Sequence, residues 1–132
     1  MFLKLYFIAL PVLVALDMLW LTLVAKNFYT KHIGFLFKPE FNILPGFIFY
    51  LLYVVGLVFF VVVPALNKGS WVYALLVGLL FGLIAYSTYD LTNQATLKNW
   101  PMIVTIVDLA WGATAASFVS VVTYLIFKKI GM

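Results

Sequence analysis

The chain has 132 residues, 67% hydrophobic and 9% charged, with a net charge of +4 that comes from eight lysines and no arginine. A soluble domain covers itself with about 25% charged residues, so most of this surface faces lipid, and lysines scattered at helix ends suit membrane anchoring and exclude a nucleic-acid partner. Cysteine is absent and His32 is the single histidine, which excludes disulfides, thiolate chemistry and a His-based metal cluster within the chain; no metal or cofactor is expected.

The first apolar run covers residues 3–24, and at about 20 residues it is long enough to cross a bilayer core. Its start, MFLKLYFIALPVLVAL, resembles a signal peptide, yet the run continues past Asp17 to Val24 with no small-residue cleavage site. It is therefore expected to stay as an uncleaved first span. Pro11 is a candidate kink, and Asp17 is the lone internal charge. The next stretch, AKNFYTKHIGFLFKPEFN, alternates lysine with Phe and Tyr. That mixture favours the headgroup region, so the segment is expected to lie flat there, broken at Gly34 and Pro39, with His32 an interfacial residue.

The second span is expected over 43–63, with Pro45 in its first turn, where no backbone donor is needed, and Pro64 at its end. The short ALNKGS connection makes spans two and three antiparallel neighbours. Span three is expected over 71–89, followed by a polar turn, and span four over 101–127, ending in Lys128 and Lys129. Trp100 and Pro101 read as an interfacial anchor and a helix start.

The fold expected is all-α: one polytopic domain over 1–132, a bundle of four transmembrane helices with an interfacial segment between the first two. Multi-pass membrane insertion follows, with both termini on one side. Lys4, Lys68, Lys128 and Lys129 flank one face, and Lys26, Lys31, Lys38 and Lys98 the other. The free amino terminus tips this balance towards cytoplasmic termini.

Depth follows from the helical rise. Asp17 lies about 20 Å from the face where span one begins, and Asp108 about 10 Å from the opposite face, where span four begins. The two carboxylates therefore share one layer, which Tyr50 and Tyr53 of span two and Tyr86 and Asp90 of span three also reach. Gly78, Gly82, Tyr86 and Asp90 repeat every four residues, as do Asp108, Gly112, Ala116 and Ser120. Small residues at this spacing let helices approach closely in lipid and set each carboxylate beside a packing surface. DMLW at Asp17–Trp20 is echoed by DLAW at Asp108–Trp111, and the i, i+3 spacing puts each indole on the side of its Asp. Trp20 and Trp111 are thus candidates to meet a carboxylate or wall a pocket.

An intramembrane carboxylate costs a few kcal/mol unless paired, protonated or hydrated. Asp17 and Asp108 read either as a proton-handling or substrate-orienting pair in a cavity, or as structural groups bonded to Tyr50, Tyr53, Tyr86, Thr105 or a Trp. Asp90, near the interface, is expected to cap the turn or pair with Lys98. Asn93, Thr92, Thr96 and Asn99 are ordinary turn formers or ligands for a polar headgroup. Nucleophile elbows, phosphate-cradling loops and HExxH are absent from the sequence.

The string YDLTNQATLKNWP, with DLAWG in the next helix, resembles the small bacterial membrane proteins of domain of unknown function 2177. The likeness covers essentially the whole chain, including DMLW and the four-span layout. Its residues are Tyr89, Asp90, Thr92, Asn93, Thr96, Asn99, Trp100, Pro101, Asp108, Trp111 and Gly112. The resemblance implies no assigned reaction; relatives encoded near fatty-acyl-modifying enzymes imply a link to lipid metabolism and such an enzyme as partner, by association.

Three readings remain open. In the first, the chain is a lipid-handling protein or membrane-enzyme subunit. An acyl chain or isoprenoid lies between its helices and meets Asp17, Asp90, Asp108 and the polar set Tyr50, Tyr53, Tyr86, Tyr89, Asn93, Trp20 and Trp111. In the second, it is a homo-oligomeric transporter in which Asp17 and Asp108 carry protons or a cation. In the third, it is a scaffold whose polar layer only specifies packing.

Overall fold

The computed structural model describes residues 1–130. Four helices long and apolar enough to cross a membrane account for nearly all of them: α1 (Phe2–Leu36), α2 (Ile43–Lys68), α3 (Trp71–Thr96) and α4 (Met102–Lys129). No strand occurs among the described residues. Polarity is inverted relative to a soluble protein. Large side chains such as Leu23, Ile43, Leu52 and Phe59 point outwards and are exposed, while Asp90, Asp108, Thr105, Ser117, Ser120 and Thr123 are buried. Only a hydrocarbon solvent favours that arrangement.

Helix α1 runs through Pro11 without a break and continues well past Val24. Its 35 residues would span about 52 Å, more than the hydrocarbon core of about 30 Å, so its last turns extend the span towards the headgroups. The expected break at Gly34 is present: Ile33 leaves helical geometry (φ −132°, ψ 18°), a single 3₁₀ turn covers Gly34–Leu36, and Phe37 is extended. Within α1, residues Leu21–Ala25 form a π-helical turn. The Thr22 hydroxyl donates to the Met18 carbonyl at 2.8 Å and competes there for a ladder acceptor.

Helix α2 is capped by Asn42, whose side chain accepts from the Leu44 amide. It runs on to Lys68 and does not end at Pro64 as expected. Proline cannot donate to the helical ladder, but a π turn over Val58–Val62 widens the backbone just ahead of it, and the helix passes through. The real stop is Gly69 in the left-handed region (φ 62°). Gly69 N–H donates to Leu66 O at 3.1 Å and Ser70 N–H to Ala65 O at 3.0 Å, the double bond of a Schellman motif. Ser70 then caps α3 by accepting from the Tyr73 amide.

Helices α3 and α4 pack most closely, along the two predicted small-residue stripes. A Cβ on Gly78 would lie 2.9 Å from the Ser117 Cα, one on Gly82 would strike the Gly112 carbonyl, and one on Gly112 the Tyr86 ring. Ser117 Oγ also donates to the Leu75 carbonyl at 2.8 Å. Across the bundle, the Leu5, Ala9 and Leu13 stripe of α1 meets Val54, Leu57 and Val58 of α2 and Ala116 of α4.

Candidate functional site

The polar layer exists, and α1 supplies more of it than expected. Tyr50 of α2 donates its hydroxyl to Asp17 Oδ2, tying α2 to α1. Asp108 is buried and accepts at Oδ1 from the hydroxyl of Tyr29, a residue the sequence places only in the interfacial stretch. The four-residue steps Asp17, Leu21, Ala25, Tyr29 and Ile33 explain how it gets there. In an α-helix each such step drifts by about 40°. The wider π turn over Leu21–Ala25 offsets the drift, so that Ala25 and Ile33 stay buried and Tyr29 turns inward.

Asp17, Trp20, Leu21, Tyr29, Tyr86, Tyr89, Asp108 and Trp111 line one cleft of about 150 Å³ between α1, α3 and α4. The indoles of Trp20 and Trp111 stack on each other, with ring centroids 4.3 Å apart and planes 9° apart. The DMLW and DLAW echo thus brings its two tryptophans into contact, forming a wall beside the two carboxylates. Such a stack contributes about 0.5–1.5 kcal/mol beyond area burial.

Two apolar grooves adjoin this cleft and share its lining. One, of about 380 Å³, is lined by Phe49, Ala85, Tyr86 and Tyr89. The other, of about 440 Å³, runs under the interfacial end of α1, along Leu21, Ala25, Lys26, Tyr29, Thr30, Phe37 and Phe41. Tyr86 and Tyr89 belong to both the cleft and the first groove; Leu21 and Tyr29 belong to both the cleft and the second.

Asp90 departs from expectation. It neither caps the turn nor meets Lys98, because α3 continues to Thr96 and turns this side chain inward. It is wholly buried, and neither of its oxygens has a hydrogen-bond donor among the described residues. Its carboxyl lies near that of Asp108 and is not among the residues lining the cleft.

Trp100, read from the sequence as an interfacial anchor, is buried against the protein. Its indole donates to Thr105 Oγ1 at 3.0 Å, Thr105 donates to Gln94 Oε1 at 2.8 Å, and Gln94 Nε2 donates to the Trp100 carbonyl at 2.9 Å. This ring staples the α3–α4 turn, where Asn99 adopts a left-handed conformation (φ 61°), and it occupies Thr105, which is therefore not a partner of either aspartate.

Tyr53 packs between Phe49 and Phe81 in the apolar core and does not line the cleft. Asn93 lies one turn beyond Tyr89 on α3, outside the lining; its backbone carbonyl accepts from Leu97. The His32 ring lies against that of Phe28, tilted by 43°, and bonds the Phe28 carbonyl through Nδ1, away from the cleft. No group of three His, Cys, Asp or Glu side chains able to hold a metal occurs among the described residues.

The family model described as predicted membrane protein (DUF2177) matches residues 2–125. The chain belongs to this family. Its cleft residues Asp17, Trp20, Tyr29, Tyr86, Tyr89, Asp108 and Trp111 all fall inside the matched region. Comparison with curated proteins and with solved structures gave no match.

Proposed function

We propose that this member of the family handles a membrane lipid, as an accessory or enzymatic subunit of fatty-acyl lipid metabolism in the bacterial inner membrane, with both termini in the cytoplasm. The observation that carries the reading is that a small carboxylate-lined cleft shares wall residues with two apolar grooves, Tyr86 and Tyr89 with one, Leu21 and Tyr29 with the other. An amphiphile needs both environments side by side: hydrocarbon walls for its chain and a few fixed polar groups for its head. The grooves are lined by Phe49, Ala85, Phe37 and Phe41, and the polar groups that orient the head are Asp17, Asp108 and the hydroxyls of Tyr86 and Tyr89. Tyr29 and Tyr50 hold the two carboxylates in place from neighbouring turns and helices.

The test is a whole-cell lipid profile of a deletion strain of the native host, complemented with wild type or with Asp108→Asn at matched protein level. The proposal expects one lipid species to change in the deletion and to be restored by wild type alone. An unchanged profile in the deletion would contradict it.

A further inference from the structure

The cleft is chemically one-sided. Asp17 and Asp108 face it, Asp90 lies near Asp108, and no lysine is among the lining residues described. Each lining carboxylate accepts at one oxygen from a tyrosine hydroxyl. The wholly buried Asp90 has two oxygens without any donor. Buried acceptors without donors are rare and destabilising, and carboxylates inside a membrane demand a counter-charge or a proton. A compact positive group that donates several hydrogen bonds would meet that demand.

A phosphate or carboxylate head would bring like charge towards these acids in surroundings that screen it weakly. A primary ammonium has the opposite character: a single positive charge and three N–H donors, able to form charge-assisted bonds to carboxylate oxygens. We propose that the cleft binds the primary ammonium head of a lipid, held between Asp17 and Asp108. This deepens the lipid-handling reading and rests on it.

The ammonium has two candidate sources, an aminophospholipid head or a single-chain amine. Lys26 bears on the choice, because it lines the apolar groove that shares Leu21 and Tyr29 with the cleft. A phosphate next to an ammonium in the cleft would face this lysine, and Phe37 and Phe41 would flank the chains.

The experiment titrates the purified full chain in mild detergent with lipids matched in chain length: hexadecylamine, phosphatidylethanolamine, phosphatidylglycerol and hexadecanoate. Binding is read from tryptophan fluorescence and by native mass spectrometry. The amine-headed lipids are expected to bind about tenfold or more tightly than the anionic ones, and Asp108→Asn is expected to erase the difference. Should that variant not fold, Asp17→Asn carries the same test from α1. A loss of phosphatidylethanolamine binding in Lys26→Gln, with hexadecylamine unaffected, assigns the source to the phospholipid; tight hexadecylamine binding with weak phosphatidylethanolamine binding assigns it to the single-chain amine. Equal or tighter binding of the anionic lipids overturns the ammonium assignment and leaves lipid binding intact. No binding of any of them overturns both.

Discussion

Tyr29 donates a hydrogen bond to Asp108 across 79 residues of chain, fastening the interfacial end of α1 to the buried face of α4. The contact follows a π turn one helical turn earlier, so a backbone irregularity and a side chain of the cleft belong to one device.

Removing the Tyr29 hydroxyl should therefore be felt in both stability and binding. Tyr29→Phe leaves Asp108 Oδ1 without its donor, and a loss of about 1–3 kcal/mol is expected. Chemical unfolding in detergent micelles measures it, with the exposed Lys31→Gln as a control expected to stay within about 0.5 kcal/mol of wild type.

The Tyr50–Asp17 bond gives the second prediction. A double-mutant cycle on Tyr50→Phe and Asp17→Asn should return a coupling of about 0.5–3 kcal/mol, as groups in direct contact do. Tyr53→Phe, whose ring sits among Phe49 and Phe81, should couple weakly to the same Asp17→Asn.

Helix contact in lipid depends on close backbone approach, and Gly82 is the tightest point. Gly82→Ala drives a methyl into the Gly112 carbonyl, with an expected cost of about 1–3 kcal/mol from overpacking. Gly46, near the start of α2, has nothing within 4 Å of an added Cβ. Gly46→Ala should leave stability unchanged or slightly raise it, and resistance to denaturing detergent separates the two variants.

The indole stack offers a spectroscopic handle. Parallel rings 4.3 Å apart should couple excitonically, giving a paired feature in the tryptophan region of the circular dichroism spectrum. Trp111→Phe should abolish that feature while the helical signal remains. Survival of the feature in this variant would assign it to other tryptophans and contradict the stack.

Much of this arrangement is readable from the residues. The steps Gly78, Gly82, Tyr86, Asp90 and Asp108, Gly112, Ala116, Ser120 name the α3–α4 seam, because small residues at four-residue spacing have few other uses in lipid. The helical rise alone brings Asp17 and Asp108 to one depth. Three features were hidden for physical reasons. Tyr29 sits among lysines and aromatics that favour the membrane surface, and the stripe carrying it drifts out of phase unless a π turn is known to reset it. The stripe turns Asp90 towards the seam, but hydropathy falls there and suggests a helix end with a capping role, whereas a polar helix continues as long as its backbone is bonded, here to Thr96. Trp100 before a proline suggests an anchor, and only the Gln94 and Thr105 side chains, unpredictable from local pattern, bury it.

The central claim is that the carboxylate cleft and its grooves hold a lipid. The most direct measurement is the lipid that copurifies with the chain in mild detergent, quantified per protein for wild type and for the Asp17→Asn, Asp108→Asn double variant at equal helicity. The account predicts a defined lipid in stoichiometric amount on wild type and its loss from the double variant. A wild-type protein free of lipid, or the same lipid retained by both, would contradict it.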